Sequence, residues 1–139
     1  MPLRKIFVVA AFVLVGAGAY RAGAQTQKKP RYFEMRTYTA SPGKMDALHA
    51  RFREHTQKLF AKHGMENVGY WAPTGGENAD HTLVYLLSYP SAEARDGSWK
   101  AFGADPDWKK AKGDSEKDGK LTAKIASVFL TPTDYSPLR

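Results

Sequence analysis

Two hydrophobic periods alternate along the chain. Over residues 31–39, Phe33, Met35 and Thr37 fall on one side of an extended backbone, with Tyr32, Glu34, Arg36 and Tyr38 on the other, which predicts a strand. Ser41-Pro42-Gly43 then supplies a turn, a capping serine and a proline suited to a helix start. Met45, Leu48, Phe52 and Leu59 follow at steps of three, four and seven, the apolar stripe of an amphipathic helix. That helix is expected over 44–62, about 28 Å at 1.5 Å per residue, with Gly64 as its left-handed stop. His55 fills the missing step between Phe52 and Leu59, so a histidine stands where a leucine is expected, on the face that meets the rest of the protein.

A second strand is expected over 66–72, where Val68 and Tyr70 alternate with Gly69 and Trp71, followed by a polar hairpin connection over 73–80. The third strand, 81–89, is apolar on both sides: Leu83, Tyr85 and Leu87 on one, Val84 and Leu86 on the other. A sheet with one wet face would alternate apolar with polar, so both faces of this strand are expected to be covered. Ser91 caps a second helix from Ala92 to about Phe102, and Asp105-Pro106 restarts a shorter one that carries Trp108. A charged loop over 113–119, a fourth strand over 120–130 and an irregular tail complete the chain. No internal repeat is present.

The order strand, helix, strand, strand, helix, strand, with right-handed crossovers, gives one fold: a ferredoxin-like βαββαβ sandwich of the α+β class. Its four-stranded antiparallel sheet carries both helices on one face. The open face is the one that the apolar third strand requires to be covered. Two copies packed face to face as a twofold homodimer would cover it.

The first 24 residues stand apart. Arg4 and Lys5 precede an apolar run from Ile6 to Val15, and Ala22-Gly23-Ala24 has the form of a signal-peptidase site. The run falls short of the roughly 20 apolar residues that span a bilayer. Cleavage after Ala24 is therefore expected, with residues 25–30 as a polar lead-in, residues 31–139 as the domain and an exported, periplasmic or secreted product without a membrane anchor. A retained anchor is the alternative. Loss of Arg4, Lys5 and Arg21 with the signal leaves 18 basic and 14 acidic side chains. These are mixed in sign, as in 109–118, rather than gathered into the one-sided stripe that nucleic acid requires. The lack of cysteine excludes thiol nucleophiles, iron–sulfur ligation and disulfides.

The segments Tyr32-Phe33-Glu34-Met35-Arg36-Thr37-Tyr38, Arg51-Phe52-Arg53-Glu54-His55-Thr56, Lys62-His63-Gly64-Met65, Gly69-Tyr70-Trp71 and Val84 to Ser91 resemble the NIPSNAP family. So do Ser98-Trp99-Lys100-Ala101-Phe102, Asp105-Pro106-Asp107-Trp108 and Thr133 to Leu138. The resemblance spans 31–138 and implies the dimeric α/β-barrel superfamily. Its members share a cleft between sheet and helices and include cofactor-independent monooxygenases, haem-degrading enzymes, lyases and isomerases. It assigns no activity and no cofactor to this chain.

Within such a cleft His55 is the expected catalytic or ligand-binding group, as general base, haem ligand or hydrogen-bond donor to a carbonyl. Its competing accounts are a buried histidine satisfied by tyrosine or backbone groups and a histidine at the polar edge of the stripe. Tyr70, Tyr85 and Trp99 are the expected lining for a small hydrophobic or aromatic ligand, and Arg36, with Arg53, could orient an anionic group. Ordinary core packing and surface charge are the alternatives for these. His55 and His63 lie about 80° and 12 Å apart on an ideal helix, too far to share a metal, so none is expected. His63 reads as a helix-end cation and His49 as a solvent-facing residue. There is no G-x-S-x-G elbow, phosphate loop or H-E-x-x-H. The function expected is a small-molecule-binding homodimer of open activity. The alternatives are a non-catalytic interaction protein and a monooxygenase-like or lyase-like enzyme.

Overall fold

The computed structural model describes residues 31–139, so the expected export signal and lead-in lie outside the described residues. The order of elements is β1 (Tyr32–Ala40), α1 (Met45–Arg51), a π-helical turn (Phe52–Thr56), α2 (Gln57–Lys62), β2 (Glu66–Trp71), a 3-10 turn (Ala79–His81), β3 (Thr82–Tyr89), α3 (Ala92–Ala104), α4 (Pro106–Ser115) and β4 (Thr122–Leu130). The four strands form one sheet in the order β2-β3-β1-β4, every neighbouring pair antiparallel. This is the ferredoxin-like sandwich expected from the sequence. α4 runs on through Gly113 to Ser115, where a loop is expected from the sequence. The exposed i,i+4 pair Lys110–Asp114 supports that last turn.

The strand pairing sorts the two faces. Toward the helices point Tyr32, Glu34, Arg36 and Tyr38 of β1, with Leu83, Tyr85, Leu87 and Tyr89 of β3 directly across from them. The core lies here, built from Tyr38, Leu83, Tyr85, Leu87 and Tyr89 against Leu48, Phe52, Phe60 and Phe102 of the helices. The opposite face carries Met35, Val84, Leu86, Val128 and Leu130. Trp71, across from Val84, is 54% exposed there. Its ring lies over Gly69, where a Cβ would meet the Trp71 indole at 2.6 Å, so a side chain at 69 would push that ring aside.

α1, the π-helical turn and α2 form one rod over 45–62, and the turn changes what its sequence means. Gln57 N–H donates to the Phe52 carbonyl, five residues back, and Thr56 Oγ1 donates to the Arg51 carbonyl at 3.2 Å. One extra residue in a turn displaces everything after it by about 100° relative to a plain α-helix. The inward row therefore runs Leu48, Arg51, Phe52, Thr56, Leu59 and Phe60, all buried. His55 does not occupy the gap in the stripe, contrary to the sequence expectation. Thr56 does, and the His55 side chain is 50% exposed on the outer flank, with Nε2 3.9 Å from Glu54.

The same rotation draws His63 inward. It is more than a helix-end cation: Nε2 lies 2.6 Å from Asp105 Oδ2, and Lys62 Nζ lies 2.8 Å from the same oxygen. Asp105 also accepts from Asp107 N–H at 2.8 Å as the N-cap of α4. These contacts hold its carboxyl well below the ordinary aspartate range, chiefly through Lys62 and then His63. Gly64, at φ +78°, ends the rod as expected, and Met65 N–H returns to the Phe60 carbonyl at 3.0 Å. His49 is half-buried rather than facing solvent.

Candidate functional site

β1 places Glu34 and Arg36 two residues apart on the helix-facing side, beneath α3. Glu34 is fully buried. Its carboxylate accepts from Arg36 Nη1 at 2.7 Å, from Arg95 Nε and Nη2 at 3.0 Å each, from Tyr89 Oη at 2.9 Å and from Trp99 Nε1 at 3.0 Å. Burial alone would raise the pKa of Glu34. The bonds from Arg95 and Arg36 outweigh it, and the group is lowered from 4.5 to about 2. Glu34 is thus an anion at every physiological pH with its lone pairs occupied, which suits a keystone and not a base. Arg36 in turn lies 4.3 Å above the Trp99 ring, its side chain only 12% exposed, so it is not a surface charge.

A row of paired residues crosses the sheet at Arg36: Ser127 of β4, Arg36 of β1, Tyr85 of β3 and Tyr70 of β2. Tyr70 stacks on Tyr85 at 5.4 Å, and Phe60 bridges Tyr85 to Trp99 at 6.0 and 5.4 Å. Of the six residues singled out from the sequence, Arg36, Tyr70, Tyr85 and Trp99 are therefore brought together, and His55 and the exposed Arg53 are not among them. Burial, reinforced by Tyr38 and opposed by Arg36, pushes the Tyr85 phenol well above its ordinary range. Burial likewise raises Tyr70. The Tyr85 hydroxyl and Arg36 Nε complete no hydrogen bond among the described residues. A buried polar group left in that state is uncommon in folded proteins and marks a place for scrutiny.

Tyr38 connects this cluster to the outside. It packs edge-on against Tyr85 at 5.2 Å, and its hydroxyl lies 3.5 Å from Arg36 Nη2. Its other side lines a cleft of about 220 Å³ between the sheet and α4, together with Arg51, Trp108, Glu116, Lys120 and Ile125. The cleft exists because α1 to α4 cover β2, β3 and β1 but leave β4 open: Ile125 and Phe129 point to the helix side and stay 47% and 51% exposed. Arg51 reaches it from the inward row of the rod. Its Nη1 donates to Glu116 Oε1 at 3.0 Å and to Ser115 Oγ at 3.3 Å, its guanidinium sits 5.2 Å from the Trp108 ring, and its Nε has no acceptor among the described residues.

His55 lines a different hollow, an open groove between α2 and α4 bordered by Glu54, Lys58, Asp107 and Lys110. Those side chains are exposed, and the groove holds no buried polar group. Among the described residues no group of three or more histidines and carboxylates is placed to hold a metal ion. Glu34, Tyr38, Arg51, Tyr89, Arg95 and Trp108 escape sequence reasoning as site residues. The first two carry a readable signal. Tyr-x-Glu-x-Arg-x-Tyr puts two opposite charges between two aromatics on one strand face, which can be buried only as a pair. Arg51 and Arg95 carry no such signal, because their partners lie 65 and 61 residues away.

Fold and cleft together define a ferredoxin-like α+β domain with a pocket between its sheet and its helices. The family model described as NIPSNAP matches residues 33–137, and the chain belongs to the NIPSNAP family. Among solved structures, a NIPSNAP family protein from Agrobacterium tumefaciens is 24% identical, with a TM-score of 0.69 over 78% of this chain and 99% of that one. An uncharacterised NIPSNAP domain protein from Burkholderia xenovorans is 22% identical, with a TM-score of 0.65 over 76% and 98%. A putative antibiotic biosynthesis monooxygenase from Chloroflexus aurantiacus is 17% identical, with a TM-score of 0.50 over 78% and 99%. At these identities the likenesses establish the fold alone. No curated protein matches the sequence.

Proposed function

We propose that this NIPSNAP domain is an exported, homodimeric small-molecule-binding module whose ligand occupies the cleft of Tyr38, Arg51, Trp108 and Ile125. The observation that carries the proposal is the construction of that cleft. Aromatic and aliphatic walls meet a buried guanidinium, and Tyr38 packs edge-on against the ring of Tyr85, whose hydroxyl has no partner among the described residues. Concave sites of this composition are the default ligand sites of globular proteins. The one carboxylate in the cleft, Glu116, is engaged with Arg51, and His55 stands outside. Binding without turnover is what this arrangement supports. Calorimetric titration of a panel of small aromatic compounds, haem included, tests it with wild type, Trp108→Ala and His55→Ala. Affinity should fall in Trp108→Ala and persist in His55→Ala. The reverse pattern would move the site to the His55 groove, and no binding at all would favour an interaction protein without a ligand.

The homodimer is proposed through the open sheet face. Trp71, Val128 and Leu130 are exposed there beside the half-buried Met35, Val84 and Leu86, a contiguous apolar surface that isolated domains seldom leave bare. Sedimentation of the purified protein at micromolar concentration checks this, and a monomer would refute it. Export through residues 1–24 predicts a mature chain beginning at Gln25, which intact mass spectrometry of the exported product reads directly. Among the described residues no helix is long and apolar enough to cross a membrane.

A further inference from the structure

We infer that the cleft selects an organic anion, a compound with one carboxylate on a flat aromatic body. This rests on the small-molecule proposal for the same cleft and adds the chemical class of the ligand.

Charge argues first. The lining holds three cations, Arg51, Lys112 and Lys120, against the single carboxylate of Glu116. Glu116 is matched by Arg51 at 3.0 Å. Lys112 and Lys120 make no ion pair among the described residues, whereas their neighbours Lys110 and Lys117 both pair with Asp114. Two positive charges thus border one concave surface without a counter-ion among the described residues, and an anionic ligand would supply it. Arg51, the buried cation of the three, acts on a ligand more strongly than a charge on open surface.

Shape and donor geometry argue second. Tyr38 and Trp108 present rings to the cleft and Ile125 an aliphatic edge, which suits a planar body in preference to a sugar or a peptide. Arg51 is 95% removed from solvent and spends Nη1 on Glu116 and Ser115, while Nε stays without an acceptor. Guanidinium groups pair with carboxylates through two parallel N–H donors, so a guanidinium with an unspent donor at the back of an aromatic-walled cleft matches a carboxylate at the end of a flat molecule. The Arg51 guanidinium already rests against Trp108 at 5.2 Å, which places the anionic end of a ligand beside that ring. Tyr38, which also lines the cleft, is the one residue of the Arg36–Tyr85 cluster that reaches it.

The test compares 2-naphthoate with its neutral isostere 2-naphthamide by calorimetry on the whole purified protein. Naphthoate should bind at least tenfold tighter at low ionic strength, and the advantage should shrink as salt is raised. Lys112→Gln with Lys120→Gln removes only exposed charges and keeps the fold. It should weaken naphthoate about tenfold and leave naphthamide unchanged. Ile125→Trp, also at an exposed position, should abolish both by filling the cleft. Equal affinity for the two probes would overturn the anion inference and leave the small-molecule proposal standing. Naphthoate binding that survives Ile125→Trp would overturn the inference by placing the anion elsewhere. Absence of binding by either probe would overturn the inference and the cleft proposal together.

Discussion

Replacing Glu34 by glutamine keeps the side chain's size and removes its charge from between Arg36 and Arg95. Breaking one partner out of a buried ionic cluster costs roughly 3–5 kcal/mol, because the remaining charges stay buried without compensation. The pKa gives an independent figure. Lowering from 4.5 to about 2 on folding corresponds to roughly 3 kcal/mol of stability in the ionised state. The sign follows from the direction. A carboxyl whose folded pKa is depressed contributes fully above 4.5 and loses its contribution as pH falls toward 2. The stability gap between wild type and Glu34→Gln should therefore be roughly 3 kcal/mol at pH 7 and about half that at pH 3. Other titrating groups, Asp105 among them, act equally on both proteins and cancel in the difference. Urea unfolding followed by tryptophan fluorescence is well suited, since Trp99 donates directly to Glu34. With a slope of ~1.5 kcal/mol/M, the midpoint at pH 7 should fall by about 2 M. A gap below ~1 kcal/mol at pH 7, or one that does not narrow by pH 3, would refute the keystone role of Glu34.

Further outcomes follow from the same geometry. His55→Ala, at an exposed position, should change stability by less than ~0.5 kcal/mol in the same urea assay. Deleting His55 should convert the π-helical turn to plain α-helix and keep Thr56, Leu59 and Phe60 facing inward, so the circular dichroism and cooperative unfolding of the fold should survive. Loss of folding would show that the turn is not a one-residue insertion. Thr56→Ala removes a buried hydroxyl that donates to the Arg51 carbonyl, along with a methyl group, and should cost roughly 1–2 kcal/mol by thermal unfolding. Val128→Lys puts a charge on the open sheet face and should shift a dimer to monomer in sedimentation without unfolding the protomer, whose core lies on the other face.

The sequence alone determined the parts of this protein that depend on neighbours a few residues apart. Alternation over 31–39 and 81–89, the cap at Ser91, the Asp105-Pro106 restart and the stop at Gly64 are local effects of backbone sterics and side-chain period. Strung in order, they leave one reasonable sheet topology. The apolar second face of β3 also showed that the sheet has an open side. Which residues make a site was decided by tertiary structure. A one-residue widening of the helix, invisible to a 3.6-residue period, turned His55 out and brought Arg51 and Thr56 in. Glu34 could be buried as an anion only because α3 delivers Arg95 and Trp99 from more than sixty residues away. The cleft itself arises from an absence of cover, because α1 to α4 stop short of β4. No pattern within β4 announces this, since coverage belongs to the packing of other elements upon it.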